Sequence, residues 1–144
     1  PSDFREKHGL QDKTIVLGVA NVWEERKGLN DFLRLAEMLD ERYKIVLVGL
    51  TEKQLKALPP RILGVSRTDN ARQLAEIYTA ADIYANLSKE ETFGLTTLEA
   101  LSCSTSAVVY KDTACEEVVK KYGGIAAADL DEVRCIIEKT VEKR

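Results

Sequence analysis

The chain of 144 residues has few of the side chains on which many catalytic and metal sites depend. It contains one histidine, His8, so no Ser/His/Asp or Cys/His catalytic set can be assembled. Its three cysteines, Cys103, Cys115 and Cys135, are far apart and lack the spacing of metal ligands. We therefore expect no metal site, and we expect reduced thiols that mainly contribute to packing in a cytosolic protein.

Long apolar runs and a charge bias are also missing. No run approaches the roughly 20 residues of a membrane span, and no secretory leader is recognisable. The net charge is −3 and charges of both signs alternate along the chain, which argues against a nucleic-acid-binding surface. There is neither a G-x-G-x-x-G dinucleotide fingerprint nor a G-x-x-x-x-G-K-[ST] P-loop. Hydrophobic residues make up 44% of the chain, which is enough for the core of one domain.

The first thirteen residues, "PSDFREKHGLQDK", are polar, carry no initiator methionine and run directly into an apolar segment. We expect residues 1–13 to be the remnant of a linker and residues 14–144 to form one domain. The chain is then expected to be a piece of a longer protein.

After Lys13, apolar runs alternate with segments of helical periodicity. The runs that predict buried strands are "TIVLGVA", "YKIVLVGL", "RILGVS", "DIYANLS", "SAVVY" and "GIAAA". The segments that predict helices are "GLNDFLRLAEMLDE", "TEKQLKALPP" with Thr51 as its cap, "DNARQLAEIYTAA", "TFGLTTLEALSC", "DTACEEVVKKYGG" and "LDEVRCIIEKTVEKR". Such repetition is typical of parallel strands joined by right-handed crossovers. We expect an α/β fold with a doubly wound, mostly parallel six-stranded sheet and helices on both faces, which is Rossmann-like.

Ligands of such sheets bind beyond the carboxyl ends of the strands, so the segments that follow the strands are the places to look for chemistry. These segments are residues 21–28, 49–51, 65–70, 88–95 and 110–113. Trp23, in the first segment, could lie over a ligand, although an aromatic residue more commonly caps a sheet edge.

The first of these segments, "NVWEERKG", carries Arg26 and Lys27 directly before Gly28, which opens a helix. Basic side chains beside a helix N-terminus suit a phosphate group. The alternative is that both are solvated surface charges paired with Glu24 and Glu25.

The segment after the fourth strand, "SKEETFGLTTLEALSC", begins another helix. A helix N-terminus has unpaired amides and roughly half a positive charge, which favours an anion such as a diphosphate. Gly94 allows a ligand close to the backbone, and Thr96 and Thr97 add hydroxyl groups.

Two acids flank that N-terminus. Glu91 precedes it and Glu99 lies about one turn inside the helix, where a carboxylate can accept hydrogen bonds from sugar hydroxyls. The pair is better explained by a nucleotide-sugar than by an acid/base couple. The alternative is that the acids only stabilise the helix dipole, which contributes roughly 0.3–1 kcal/mol without any ligand.

With these residues the sequence resembles family 4 retaining glycosyltransferases of the GT-B fold, in their C-terminal domain. The family's Glu-x7-Glu motif matches Glu91 to Glu99, within "EETFGLTTLEALSC" and followed by "STSAVVYKDTACEEVV". The segments "GVANVWEERKGLNDF", "YKIVLVG" and "LAEIYTAADIYANLS" are also similar to family segments, in the same order. The resemblance extends from about Thr14 to at least Val119.

The resemblance implies roles for individual residues. Lys27 would neutralise the donor diphosphate and Glu91 would contact the transferred sugar, so these two are the expected catalytic residues. Glu99 would bind the ribose hydroxyls, and residues 65–67 would border the base. The family often has arginine where this chain has Asn21, which offers a hydrogen bond without charge. The complete expected donor site is Asn21, Arg26, Lys27, Val65, Ser66, Arg67, Glu91, Thr92, Phe93, Gly94, Leu95, Thr96 and Glu99.

The resemblance also implies a function. We expect the donor-binding lobe of an enzyme that moves a sugar from a UDP- or GDP-linked donor to a glycan, lipid or other acceptor, without a bound metal. The acceptor lobe would lie outside this chain, which alone would turn over poorly. Thr113-Ala114 is loosely similar to polysaccharide-building members, and a cytoplasmic location with peripheral membrane association is expected. The alternative is a non-enzymatic α/β nucleotide-binding or interaction module; a nucleotide-sugar epimerase ranks lower.

Overall fold

The computed structural model describes residues 4–20, 23, 27–66, 71–88, 100 and 105–142. The helices in this part of the chain are α1 (Phe4–Lys7), α2 (Leu29–Met38), α3 (Glu52–Ala57), α4 (Ala71–Ala80), α5 (Ala114–Tyr122) and α6 (Leu130–Glu142). The strands are β1 (Thr14–Val19), β2 (Tyr43–Leu50), β3 (Ile62–Ser66), β4 (Ile83–Asn86), β5 (Ser106–Tyr110) and β6 (Ile125–Ala127). The helix expected within "TFGLTTLEALSC" lies outside the described residues except for Ala100, which is helical and buried.

The six strands form one sheet in the order β3-β2-β1-β4-β5-β6, and each pairing between neighbours is parallel. The order reverses between β1 and β4, which pair Val16 with Ile83 and Leu17 with Tyr84. This reversal is the topological switch point of a doubly wound sheet. The fold class expected from the alternation of strands and helices is confirmed.

Successive residues of the strands face opposite sides, and each side has its own apolar layer. One layer joins alternate strand residues such as Val16 to α2 and α6, through side chains such as Phe32 and Ile137. The other joins residues such as Leu17 to α1, α4 and α5. Because both faces are covered, the strands are continuous apolar runs rather than alternating ones.

The helix caps account for several element boundaries. Thr51 caps α3 as expected: its hydroxyl accepts from the Gln54 amide at 3.2 Å, and the Gln54 side chain accepts from the Thr51 amide at 3.0 Å. α2 begins after Gly28, which adopts a left-handed conformation with φ of 86°. At the start of α5 the Thr113 hydroxyl donates to the Tyr110 carbonyl at 3.0 Å.

The segment before β1 differs from the linker expected over residues 1–13. Phe4 and Leu10 are buried in the apolar layer that includes α4. The Arg5 guanidinium lies 2.7 Å from the Asp82 carboxylate, a pair with side chains 28% and 15% exposed. The described part of this segment is therefore packed on the domain, because two isolated apolar side chains and one partly buried ion pair attach it.

Among the described residues no helix combines the length and apolar character needed to cross a membrane. Cys115 is a buried free thiol and Cys135 an exposed one, while Cys103 lies outside the described residues.

Candidate functional site at the switch point

The turn that follows β1 touches the segment that follows β4. A Cβ placed on Gly28 would lie 2.3 Å from the Leu87 carbonyl oxygen, so only glycine permits this approach. The positive φ of Gly28 requires glycine independently. Lys27 precedes Gly28, and Leu87 with the buried Ser88 leads into the segment of Glu91. The two segments expected to contact the diphosphate and the sugar thus meet at the switch point.

Trp23 anchors the middle of the segment after β1. Its side chain is 5% exposed, and its Nε1 donates to the Val48 carbonyl at 2.9 Å. Its own carbonyl accepts from the Gln54 amide group at 2.9 Å, and its ring packs edge-on against Phe32 at 5.5 Å between centroids. A buried indole with these partners is part of the scaffold at the sheet edge and does not form a mobile cover over a ligand.

The carboxyl ends of β1 and β2 also lie in close contact with each other. Gly49 has a φ of 106°, and a Cβ on it would lie 1.8 Å from the Ala20 carbonyl oxygen. This contact and the Trp23 anchor hold the start of the segment that carries Lys27. The edge of the sheet is therefore compact on the side of β2 as well as on the side of β4.

A buried polar cluster holds residues 86–88, at the end of β4. The Asn86 side-chain oxygen accepts from the Ser88 amide at 3.0 Å, and its amide nitrogen lies 3.3 Å from the Cys115 sulfur in α5. All three residues are buried. Asn86 was not among the expected site residues, although an asparagine within an apolar strand was a usable signal, and Cys115 was expected only as a packing thiol.

A second polar contact joins the first turn of α2 to the end of β5. The Tyr110 hydroxyl donates to the Asp31 carboxylate at 2.7 Å, and Asp31 is 8% exposed. An acid in a first helical turn is favoured by the helix dipole. Burial, and then the hydrogen bond to Asp31, raise the pKa of Tyr110 well above its ordinary value. Neither residue was among the expected site residues.

The remaining expected residues divide into two groups. Val65 and Ser66 lie at the carboxyl end of β3 and pair with Val48 and Leu50 of β2. They lie at the same edge of the sheet as Lys27, with β2 between them and β1. The others lie outside the described residues, and their roles stay predictions: Asn21, Arg26, Arg67, Glu91, Thr92, Phe93, Gly94, Leu95, Thr96 and Glu99.

In the part of the chain that the structure describes, no three His, Cys, Asp or Glu side chains come together as metal ligands would. Of the expected site residues that the structure describes, Lys27 and Ser66 have polar side chains.

The order of strands and the meeting of two segments at the switch point define a doubly wound α/β domain, a class of fold that binds its ligands at the carboxyl edge of the sheet. Residues 2–132 match the family of glycosyl transferases group 1. The chain belongs to this family.

Curated relatives are similar over most of the chain. It is 29% identical over 141 residues to alpha-galactosylglucosyldiacylglycerol synthase of Streptococcus pneumoniae, covering 91% of this chain and 37% of that protein. It is 32% identical over 121 residues to D-inositol 3-phosphate glycosyltransferase of Corynebacterium jeikeium, covering 72% and 29%. The chain therefore spans about a third of the length of these relatives.

A solved structure confirms the fold. The crystal structure of HepE of Anabaena in complex with UDP-glucose superposes with a TM-score of 0.81 at 19% sequence identity, over 98% of this chain and 42% of that one. The domain thus has the Rossmann-like fold of one lobe of a GT-B glycosyltransferase.

Proposed function

We propose that this chain is the nucleotide-sugar-binding lobe of a retaining glycosyltransferase of family 4. The observation that carries the proposal is the contact between Gly28 and Leu87. It brings the turn of Lys27 and the segment leading to Glu91 to one point of the sheet, where doubly wound folds bind their ligands. Membership of the glycosyl transferases group 1 family supports the same function.

In this proposal the donor diphosphate lies between Lys27 and the helix N-terminus that the sequence predicts near Phe93. A cation and the unpaired amides of a helix both favour the negative charge that grows on the departing diphosphate. Glu91 contacts the transferred sugar and Glu99 accepts from the ribose hydroxyls. We propose a UDP-linked donor before a GDP-linked one, because HepE was solved with UDP-glucose.

We further propose that the acceptor is held by a second lobe that this chain does not contain. The chain spans about a third of its curated relatives, and transfer requires donor and acceptor to be held together. The isolated chain is therefore expected to bind nucleotide but to turn over nucleotide-sugars poorly. We propose that the whole enzyme works in the cytoplasm, where nucleotide-sugars are its substrates, with peripheral contact to a membrane.

Titration calorimetry with UDP, GDP and ADP tests the donor site. We expect heat with at least one nucleotide, and affinities about 10- to 100-fold weaker in Lys27→Ala and Glu99→Ala, since a hydrogen bond to a charged group contributes about 1.5–3 kcal/mol. Matched controls are Lys139→Ala and Glu37→Ala, which replace exposed side chains on α6 and α2. Both controls should bind like the unaltered chain.

Two results would contradict the proposal. Absence of heat with all three nucleotides would favour an interaction module in which the acids only stabilise a helix. Turnover of UDP-glucose or GDP-mannose by the isolated chain at rates typical of complete enzymes, about 1–1000 per second, would show that no second lobe is needed.

A further inference from the structure

Two contacts attach the first turn of α2 to the sheet, and they involve two different strands. At its start, Gly28 lies against the Leu87 carbonyl, after β4. Three residues later, Asp31 accepts the hydrogen bond of Tyr110, at the end of β5. The turn that carries Lys27 follows β1 in the sequence. It nevertheless lies across the ends of two neighbouring strands, β4 and β5.

The contact with β5 is polar, although Tyr110 also packs against an apolar layer. Tyr110 packs on the layer that contains Phe32 and Leu35 of α2, both buried. Burying a carboxylate costs free energy even when it is hydrogen-bonded, and apolar residues of similar size often stabilise a core as well or better. The Asp31–Tyr110 pair is thus not the simplest way to attach this helix.

The hydrogen bond between Asp31 and Tyr110 restricts the orientation of α2, which apolar contacts do not. Apolar contacts such as those of Phe32 and Leu35 depend on buried area and tolerate small rotations or shifts of the helix. The 2.7 Å hydrogen bond between the Tyr110 phenol and the Asp31 carboxylate forms only within a narrow range of distances and angles. It therefore fixes the height and rotation of the first turn of α2 relative to β5.

We propose that Asp31 and Tyr110 are positioning residues of the donor site, whose hydrogen bond holds Lys27 at the place where the diphosphate binds. This inference rests on the proposed function. Neither side chain is expected to touch the ligand, because both are occupied with each other below the turn. Their effect on binding passes through Lys27, and this distinguishes them from residues that only support the fold.

A double-mutant cycle tests this dependence on Lys27. UDP affinity is measured by calorimetry and uridine affinity by ligand-observed NMR for the unaltered chain, Tyr110→Phe, Lys27→Ala and the double variant; GDP and guanosine replace them if the chain binds only the guanine nucleotide. We expect Tyr110→Phe to weaken UDP about 3- to 10-fold and to leave uridine unchanged, since uridine has no phosphates. In the Lys27→Ala background it should have no further effect.

Two further variants separate position from stability. Asp31→Asn should retain most of the UDP affinity, because its amide oxygen still accepts from Tyr110, whereas Asp31→Ala should behave like Tyr110→Phe. Tyr43→Phe is the control: Tyr43 is buried more deeply than the partly buried Tyr110, but it lies at the amino end of β2, away from the site. It should leave UDP affinity unchanged.

The inference fails if Tyr110→Phe leaves UDP affinity unchanged, weakens uridine as much as UDP, or acts equally in the Lys27→Ala background. Failure of the proposed function is recognised separately. In that case the unaltered chain binds neither nucleotide, or Lys27→Ala binds like the unaltered chain, and the inference falls with it.

Discussion

The contact between Gly28 and Leu87 can be tested by replacing Gly28 with alanine, the smallest possible change at that position. The added methyl group would lie 2.3 Å from the Leu87 carbonyl oxygen and 2.8 Å from the Leu87 Cβ. Leu87 is completely buried, and the nearest atoms belong to its backbone, so a change of side-chain rotamer cannot relieve the contact. Either the turn of Lys27 or the segment after β4 must shift.

Two costs add in this variant. A left-handed conformation costs an L-residue roughly 1–2 kcal/mol, and forcing a backbone shift in a packed region costs typically about 1–3 kcal/mol. The expected loss is about 2–5 kcal/mol, a large part of the roughly 5–15 kcal/mol by which a domain is stable. At about 2–4 °C per kcal/mol for a chain of nearly this size, Tm should fall by roughly 4–20 °C.

Gly9→Ala is the matched control. Gly9 also has a positive φ, 67°, but nothing lies within 4 Å of the added Cβ. Both substitutions reduce the entropy of the unfolded chain equally, so the difference between them isolates the clash with Leu87. Urea denaturation gives the two free energies of unfolding, and UDP titration shows whether the shifted turn also loses nucleotide affinity.

Equal stability losses in Gly28→Ala and Gly9→Ala would refute the reasoning, because they would leave no cost for the contact between the two segments. A destabilised Gly28→Ala that binds UDP like the unaltered chain would retain the packing argument and contradict the placement of the ligand beside this turn.

Further predictions concern the anchors of the domain. Trp23→Phe retains an aromatic ring but removes one of two donors to the Val48 carbonyl, which keeps the Ala20 amide. The free energy of unfolding should therefore fall by about 0.5–1.5 kcal/mol in urea denaturation followed by circular dichroism. An unchanged midpoint would contradict the anchoring role. Arg5→Lys should lower the thermal midpoint, because the guanidinium donates to three carbonyl groups besides Asp82; Arg42→Lys, in an exposed pair, should not. Because the pKa of Tyr110 is raised on folding, the stability it contributes is complete below about pH 10 and declines as the pH rises further. Between pH 9 and 11.5 the urea midpoint of the unaltered chain should therefore fall more steeply than that of Tyr110→Phe, and parallel curves would contradict the shift.

Most strands and helices were predictable from the sequence. Each strand is covered on both faces, so it is recognisable as a continuous apolar run. β2 and β5 have the bounds of the runs "YKIVLVGL" and "SAVVY". Helix ends were less predictable: α2 was expected to continue to Glu41 but ends at Met38. Leu39 adopts an extended conformation and is buried, so tertiary packing overrides the helical spacing there.

For the candidate site, the sequence indicated which segments matter but not how they are held. Lys27 and the segment of Glu91 both follow buried strands, and the parallel topology brings such segments to one edge. The bond between Asp31 and Tyr110 joins residues that are far apart in the chain. No local spacing signals it, since it depends on which strand lies beneath α2.

The same limit applies to the start of the chain. Phe4 and Leu10 are isolated among polar residues in the sequence, so no local pattern predicts their burial. In the structure they belong to the apolar layer that includes α4. The partner of Arg5 is Asp82, between α4 and β4. A local pattern of polarity therefore suggested a linker where long-range contacts form part of the domain.

The pairing of β1 with β4 also has a consequence for the order in which the chain folds. Each half of the sheet is built from consecutive strands, whereas Val16 meets Ile83 only after the whole intervening chain has closed into a loop. Closure over such a length is slow. Until it occurs, β1 and β4 each expose an apolar edge that can pair with another molecule. We therefore expect newly made chains to aggregate through these two edges when folding is delayed, and the edge where we propose that the donor binds forms only once β1 and β4 pair.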